Sequence, residues 1–286
     1  RRITATTPCS VGGPAAGHVL MRTAADPNGR TILGTFNNCA SGKTPWGTYL
    51  SGEENWAGYF AGGRDLTADQ RRWGLRDTAF FRWPEFDDRF DTRKHPNEFH
   101  RFGWVVEVDP MDPTSAPIKR TALGRAAHEG AWVATTRDGR AVVYSGEDAR
   151  FEYIYKFVSR DRIAPAGNGK TAAQANNTLL DHGTLYVARF GTGFSLDPAA
   201  AGAPITWIRL GAATSAEIKA LIESISPSPF FPKKVTAEKS TTSQSGAIRN
   251  SRTLRPRRKA AKVMIKNKLA IAPEASATKV WWVIMP

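Results

Sequence analysis

Short β-rich segments separated by turn residues are the feature that most limits how this chain can fold. Each segment is rich in Val, Ile, Thr, Tyr or Trp, and clusters of Gly, Pro, Asp and Asn separate them. The segments lie near residues 31–36, 46–51, 103–109, 131–136, 141–145, 152–158, 184–189 and 205–210. Only residues 65–76 and 214–224 have a helix-like composition. We therefore predict an all-β fold. Many short strands favour a propeller or a sandwich, and the absence of a fixed-period repeat leaves both open.

One β-hairpin is explicit in the sequence. Residues 132–136 and 141–144 are two β-rich runs, and Arg137-Asp138-Gly139-Arg140 separates them. Gly accepts a positive φ without steric cost, so an Asp-Gly pair between two such runs is a strong turn signal. The sequence therefore predicts that these two runs pair as antiparallel neighbours.

The composition changes near residue 225, where Ser226-Pro227-Ser228-Pro229 interrupts any regular structure. Residues 233–286 contain 13 Lys and Arg but only 2 Asp and Glu, whereas residues 1–232 contain 27 and 24. We predict a folded domain over 1–224 and a basic low-complexity tail over 225–286 that is disordered or foreign to the fold. The alternative is a short basic linker followed by one last strand.

The charge distribution limits which partners the chain can have. The net charge of +14 belongs almost entirely to the tail, so the body has no field that would steer polyanions. Nucleic-acid binding is expected only as non-specific, salt-sensitive attachment through residues 233–268, where no aromatic residues interleave the basic ones. No apolar run approaches the length of a membrane span.

Several common site types lack their sequence signatures. Two cysteines, Cys9 and Cys39, cannot form a disulfide scaffold or a four-cysteine zinc site. No Gly-x-Ser-x-Gly elbow, Walker A loop or Gly-x-Gly-x-x-Gly motif is present. The sequence therefore gives no support to serine-hydrolase, P-loop or Rossmann chemistry.

The densest group of chemically useful residues lies between residues 37 and 56. A strand ending in Asn-Asn-Cys39 leads through a Gly/Pro turn to a second strand that ends in Glu53-Glu54-Asn55. Carboxylate and amide oxygens suit calcium, and a thiolate beside carboxylates suits a softer or more highly charged metal. If the strands pair, Cys39 and the Glu pair lie at opposite ends of the hairpin, or close together if the loop folds over. The alternative is a solvated acidic surface with a buried, inert cysteine.

Two further acidic segments follow. His128-Glu129-Gly130 precedes the predicted hairpin and could form a ligand pair on a loop, although a plain surface loop is the alternative. Ser145–Glu152 places Glu147, Asp148 and another Glu near one Arg, which suits calcium or phosphate binding. Its alternative is a polar loop with an internal ion pair of little energetic value. Glu107 is a further isolated candidate.

In this order, the segments resemble the PhoX-type bacterial alkaline phosphatases. The resemblance covers about residues 5–210 and rests on several long stretches. They are Thr7–His18, Leu33–Ala40, Thr44–Thr48 through Asn55, Arg101–Pro110, Lys119–Arg125, Ala127–Gly130, and Tyr144–Asp148 through Phe157. The basic tail has no counterpart in this resemblance, so we expect a truncated or frame-shifted end.

The resemblance implies a β-propeller phosphomonoesterase with iron and calcium ions at the propeller axis, exported to the periplasm or secreted. It implies that Cys39 binds iron and that a glutamate of Glu-Glu-Asn is a ligand, with Glu54 favoured and Glu53 the alternative. Glu129 is the next implied ligand, and Glu147 and Asp148 complete the expected metal set. Cys39, Glu54 and Glu129 are the expected catalytic residues. The alternative function is an inactive partial propeller that acts at most as a binding module.

Overall fold

The computed structural model describes residues 2–149, 152–191 and 204–212. The helix predicted at 214–224 and the basic tail at 225–286 lie outside these residues, so both stay predictions. The described chain forms eleven strands: β1 Pro8–Gly12, β2 Thr31–Leu33, β3 Asn38–Lys43, β4 Tyr49–Glu53, β5 Val105–Val108, β6 Ile118–Arg120, β7 Trp132–Thr135, β8 Arg140–Gly146, β9 Ile154–Arg162, β10 Gly183–Phe190 and β11 Ile205–Ala212.

The helices of the described chain are short. Helix α1 spans Ala68–Arg72 and helix α2 spans Ala172–Ala175. Each begins with a capping box, in which a Thr hydroxyl and a Gln side chain satisfy exposed backbone N–H groups. Single 3-10 turns lie at Val19–Met21, Trp56–Tyr59, Trp83–Glu85, Asp88–Phe90, Glu98–Arg101, Thr121–Leu123 and Leu179–Asp181.

The first sheet has six strands in the order β2-β1-β6-β5-β4-β3. Strands β3 to β6 are sequential neighbours and all antiparallel, which makes a four-stranded meander. Strand β1 adds to this meander by pairing in parallel with β6, and β2 pairs antiparallel with β1. A four-stranded antiparallel meander is the repeating unit of a β-propeller.

The second sheet has five strands in the order β11-β10-β9-β8-β7, and every neighbouring pair is antiparallel. The predicted hairpin is confirmed, because β7 pairs with β8 in a register that places Trp132 opposite Tyr144. Gly139 has a φ of 86°, which is the left-handed conformation that the Asp-Gly turn required.

Two apolar clusters hold the described chain together. The first is aromatic and lies under the 3-10 turns of residues 56–102; it includes Phe36, Trp56, Phe60 and Phe102. The second takes side chains from both sheets, among them Leu50 and Val105 of the first sheet and Val143, Phe157 and Leu185 of the second. The two sheets therefore pack on a shared core, as neighbouring propeller blades do.

The all-β prediction is confirmed, and all eight predicted strands are present. Strands β1, β3 and β6 were not predicted, because Gly, Ser, Lys and Pro give them little intrinsic strand preference. The helix expected over 65–76 is reduced to the five residues of α1. Within the described ranges, no helix is both long and apolar enough to cross a bilayer.

Candidate metal centre

The candidate site lies where the edges of the two sheets meet, at residues 127–129. This short segment donates and accepts backbone hydrogen bonds on both sides. Toward the first sheet, His128 N–H donates to the Glu53 carbonyl at 2.9 Å, and the Glu129 carbonyl accepts from Ala40 N–H at 2.7 Å. Toward the second sheet, Glu129 N–H donates to the Gly146 carbonyl at 3.0 Å. These hydrogen bonds therefore hold residues 127–129 against the strands of both sheets.

Two glycines make this close approach possible. A Cβ atom at Gly52 in β4 would overlap the carbonyl oxygen of His128, and one at Gly42 in β3 would overlap the carbonyl oxygen of Ala131. A side chain at either position would push the segment away from the first sheet. These glycines thus set the distance between the first sheet and the residues that follow His128.

Cys39, Glu54 and Glu129 converge at this junction. Their Sγ and carboxylate oxygen atoms all lie within 4.8 Å of one another. The Cys39 Sγ is 3.6 Å from Glu129 Oε1. Cys39 and Glu129 are exposed and Glu54 is half-buried. One thiol and two carboxylates from three separate segments therefore point to a single space that solvent reaches.

The strand register explains why Cys39 meets Glu54. The sequence placed Cys39 at the end of its strand, but in the structure β3 begins at Asn38 and pairs Asn38 with Glu53. Cys39 and the Glu pair consequently lie at the same end of the β3–β4 hairpin. Of the two arrangements left open by the sequence, the structure has the close one, and it follows from the register and not from a folded loop.

Asn37 shapes the turn that carries Glu54, a role that the sequence did not indicate. Its backbone is left-handed, with a φ of 50°, which Asn tolerates better than most residues. The Asn37 carbonyl accepts from Glu54 N–H at 3.0 Å, and Asn37 Oδ1 accepts from Asn55 N–H at 3.1 Å. Its Nδ2 donates to Tyr59 Oη at 3.1 Å. Asn37 therefore holds Glu54 and Asn55 in place.

Burial and acidic neighbours disfavour negative charge on Cys39 and on Glu54. Burial, together with the carboxyl groups of Glu54 and Glu129, raises the pKa of the Cys39 thiol to about 11. Burial and the neighbouring carboxyl group of Asp148 raise the pKa of Glu54, and Glu129 adds to the effect. Like charges gathered in one place raise carboxyl and thiol pKa values in this way, and a cation reverses the effect.

Glu147 and Asp148 lie beside the three donors but not among them. Asp148 is exposed and interacts with the Glu54 side chain. Glu147 is half-buried and accepts a hydrogen bond from Tyr155 Oη at 3.2 Å. Burial, with Glu152 nearby, raises the pKa of Glu147 to about 7. Asp148 thus extends the acidic group at the centre, whereas Glu147 lies deeper in the second sheet.

Glu53 lies apart from this cluster, although the sequence kept it as an alternative ligand. Its side chain is fully buried, and Oε1 forms an ion pair with Lys119 Nζ at 2.7 Å. Its Oε2 accepts from the backbone N–H groups of Gly103 and Trp104 at 2.9 and 3.1 Å. Both oxygens of Glu53 therefore have partners inside the core, and its side chain is not part of the group formed by Cys39, Glu54 and Glu129.

Two other acidic or basic candidates also belong to the interior. Glu107 is buried and forms an ion pair with Arg120 at 2.6 Å. His128 is completely buried; its Nε2 donates to the Gly124 carbonyl at 3.0 Å and its Nδ1 accepts from Ser145 Oγ at 2.7 Å. Burial lowers the pKa of His128 to about 4. In the pair His128-Glu129, only the glutamate therefore faces the centre.

The donor set at the junction suits iron and, in part, calcium. A thiolate beside carboxylates is a ligand set for a transition metal, and Cys39 with Glu54 and Glu129 supplies it. Calcium takes six to eight oxygen ligands, toward which the carboxylates of Glu54, Glu129 and Asp148 contribute. The described residues thus supply donors compatible with a transition-metal ion such as iron, and part of the oxygen shell that calcium requires.

Comparisons with known proteins identify relatives of this chain. A solved structure, Pseudomonas fluorescens PhoX in complex with vanadate, a transition state analogue, matches with a TM-score of 0.69 at 50% sequence identity. The match covers 78% of this chain and 40% of that chain, so this chain corresponds to less than half of that protein. A search of curated proteins finds no match.

The family assignment confirms the resemblance and extends it along the chain. The family described as alkaline phosphatase PhoX matches residues 1–284. The match thus continues beyond residue 210, where the sequence resemblance was expected to end, and includes most of the basic segment. With the meander sheets and the solved structure, it supports the prediction of a propeller-type β architecture. The chain belongs to the PhoX alkaline phosphatase family.

Proposed function

We propose that this chain is a phosphomonoesterase that hydrolyses phosphate monoesters to inorganic phosphate with the help of iron and calcium ions. The observation that carries the proposal is the convergence of Cys39, Glu54 and Glu129 within 4.8 Å. Family membership and the vanadate complex of the solved relative support the same reaction. The alternative of an inactive remnant is kept as an outcome of the experiment below.

The residues of the chain supply the binding and the orientation in this proposal. Cys39 and Glu129 would hold iron through the thiolate and a carboxylate, and Glu54 with Asp148 would contribute oxygens to calcium. When bound, these ions provide the positive charge that lets a nucleophile approach a phosphoryl dianion. Asn37 and the backbone bonds of residues 127–129 hold the ligands in place before the ions arrive, which limits the reorganisation that binding requires.

The proposal also accounts for the acidic side chains of Glu54, Glu129 and Asp148 that gather at the junction. No ion pair to Glu54, Glu129 or Asp148 is found among the described residues. Acidic side chains that lie together with raised pKa values are typical of functional sites, and a bound cation would balance their charge. Among the described residues, these acids form no ion pair that would stabilise the fold, and their carboxylates are available to a metal ion.

Phosphatase assays of the full chain loaded with iron and calcium test the proposal. We expect metal-dependent hydrolysis of p-nitrophenyl phosphate, and we expect Cys39→Ala to lose iron and about 100-fold or more in kcat/KM. Cys9→Ala is the matched control, because Cys9 is the other cysteine and is buried in the core. Equal iron content and equal activity in the two variants would refute the role of Cys39.

The inactive alternative has its own signature in the same experiment. It is favoured by the fact that three converging donors fall short of the shell that calcium requires. Under this alternative the chain retains metal, loses it on Cys39→Ala, and shows no hydrolysis above the metal-free background. Turnover that depends on the added metals excludes it.

We also infer export to the periplasm or to the medium, as the resemblance to PhoX phosphatases implies. Expression of the complete gene in its bacterial host, followed by fractionation, tests this location. We expect phosphatase activity and the protein itself in the periplasmic or extracellular fraction. Retention of both in the cytoplasm would contradict the inference.

A further inference from the structure

A cavity of about 660 Å³ opens directly beside the candidate metal centre. Glu54 and Asn37, which belong to the centre, form one side of it. A phosphoryl group is small, and cavities of 300 to 1,000 Å³ are typical of sites for whole organic ligands. The cavity is therefore larger than the phosphoryl group of a phosphomonoester requires.

Aromatic side chains also line this cavity. Trp73, Phe80 and Phe81 all line it. The rings of Phe80 and Phe81 meet edge to face, with centroids 4.9 Å apart and planes at 87°. Both backbone N–H groups donate to the Gly58 carbonyl, at 2.9 and 3.0 Å, so the pair is anchored. Phe80 is nevertheless 74% exposed, which leaves most of an aromatic ring available to a ligand.

Arg76 adds a positive charge to the same cavity. Arg76 is exposed and lines the cavity, and no ion pair or side-chain hydrogen bond of Arg76 is found among the described residues. Its backbone is fixed, because the Arg76 carbonyl accepts from Gly62 N–H at 2.8 Å. The other arginine of the cavity differs, since Arg72 forms an ion pair with Glu152 at 2.6 Å. Arg76 is therefore the cation that a ligand could use.

We propose that this cavity binds the alcohol half of the phosphate ester, and that it selects a planar aromatic alcohol with an anionic group on the ring. The ring would contact Phe80 and Trp73, and the anionic group would pair with Arg76. The phosphoryl group would then lie toward Glu54, at the metal centre. This inference rests on the proposed phosphatase function, because it assigns the substrate class of the same site.

Binding of non-hydrolysable phosphonates to the metal-loaded full chain tests the aromatic wall. Trp56 and Trp73 line the cavity, so tryptophan fluorescence reports occupancy. We expect phenylphosphonate to bind more tightly than methylphosphonate, and Phe80→Ala to reduce this preference about three- to tenfold. Phe86→Ala is the matched control, because Phe86 is 83% exposed but does not line the cavity. An equal effect of the two variants, or no preference in the parent protein, overturns the proposal.

A second comparison tests Arg76. We expect 4-carboxyphenylphosphonate to bind more tightly than phenylphosphonate, and Arg76→Ala to abolish that difference. Arg71→Ala is the control, because Arg71 is also exposed but does not line the cavity. If Arg76→Ala leaves the difference between the two phosphonates intact, Arg76 does not recognise the anionic group and this part of the proposal is wrong.

Kinetics separate failure of this inference from failure of the proposed function. The ratio of kcat/KM for 4-carboxyphenyl phosphate to that for methyl phosphate should fall in Phe80→Ala and stay unchanged in Phe86→Ala. Hydrolysis of both esters with an unchanged ratio in Phe80→Ala overturns the substrate assignment alone. Hydrolysis of neither ester overturns the phosphatase function, and the assignment of an alcohol pocket with it. The phosphonate titrations then decide whether the cavity binds aromatic anions at all.

Discussion

Glu53 and Glu54 are adjacent in the sequence, and their surroundings are opposite. Glu53 is fully buried beside Lys119, at the centre of a set of interior acids that each have a cationic partner. Glu54 lies at the surface with Glu129 and Asp148, and none of these three has an ion pair among the described residues. We call the first region the paired acids (Glu53 and Glu107) and the second the rim acids.

The different surroundings distinguish the acids that stabilise the fold from the acids that are available to bind a ligand. Successive residues at a strand end point to opposite sides, so β4 directs one glutamate into the core and the next into the junction. A buried carboxylate without a partner is very costly, and the paired acids accordingly have Lys119 and Arg120. The rim acids can stay uncompensated because solvent reaches them, and they are available to a cation.

The largest expected effect comes from breaking a buried pair. Lys119→Met leaves Glu53 charged and unpaired in the core, and we expect the free energy of unfolding to fall by about 3–5 kcal/mol. Urea unfolding followed by tryptophan fluorescence measures it. Asp161→Asn, which breaks the exposed pair with Arg160, is the control and should leave the unfolding midpoint unchanged. A loss in Lys119→Met no larger than in this control would contradict the assignment of Glu53 to the core.

The next effect separates the two neighbouring glutamates by function. We expect Glu54→Gln to lower kcat/KM of the metal-loaded protein by about 100-fold, because one ligand of the centre loses its charge. The same variant should retain the unfolding midpoint of the parent in the absence of metal. Glu53→Gln should show the opposite pattern: its main effect should be a lower unfolding midpoint, and its effect on kcat/KM should be the smaller one. The two profiles are measured by p-nitrophenyl phosphate hydrolysis and urea unfolding.

The half-buried His100 sharpens the comparison, because its environment favours the uncharged form and not an ion pair. Burial, with Arg125 and His18 nearby, lowers the pKa of His100 to about 3. Between this value and the ordinary pKa near 6.5, the unfolded chain binds a proton that the folded chain does not. The free energy of unfolding should therefore fall as the pH falls through this window, by up to about 1.4 kcal/mol per pH unit.

Unfolding of His100→Leu across pH 4 to 7 measures this contribution. The variant removes the titrating group, so its stability should depend less steeply on pH than that of the parent. His128 is buried with a pKa lowered to about 4 and supplies a remaining slope of the same sign. Identical slopes in the variant and the parent would show that His100 is already protonated or solvated in the folded state.

The smallest effect concerns repulsion among the rim acids. We expect Asp148→Asn to raise the free energy of unfolding of the metal-free protein slightly, by about 0.5 kcal/mol, because Glu54 then loses a like-charged neighbour. Added calcium should remove or reverse this gain, since the parent then uses Asp148 as a ligand. Thermal unfolding in EDTA and in calcium measures both values. A variant less stable than the parent in EDTA would contradict the repulsion.

The hairpin β7–β8 and strand β4, which ends beside the site, could be predicted from residue patterns. Asp138-Gly139 lies between two β-rich runs. Its turn preference depends only on neighbouring residues, so the sequence is enough to predict the hairpin. Strand β3 could not be predicted in the same way, because Asn38–Lys43 contains Gly, Ser, Ala and Lys and becomes a strand only by pairing with β4.

The candidate site shows the same division. The motifs containing Cys39, Glu54 and Glu129 are visible in the sequence, and so is their resemblance to one family. Residue patterns alone could not separate Glu54 from Glu53, although the family resemblance favoured Glu54, because the choice depends on which side of β4 faces Lys119. Asn37, Arg76 and Phe80 had no signal of their own, since their roles depend on a turn and a cavity that form only in three dimensions.

The amino-acid sequence by itself determined the all-β class, the β7–β8 hairpin, the family resemblance and the types of donor atom at the site. Those properties depend on residue types and short spacings, which are local. The tertiary structure alone decided that Cys39, Glu54 and Glu129 meet, that Glu53 is a core residue, and that an aromatic cavity adjoins the centre. The physical reason is that strand register and the approach of two sheets bring together residues up to 90 positions apart, and no local pattern encodes such a distance.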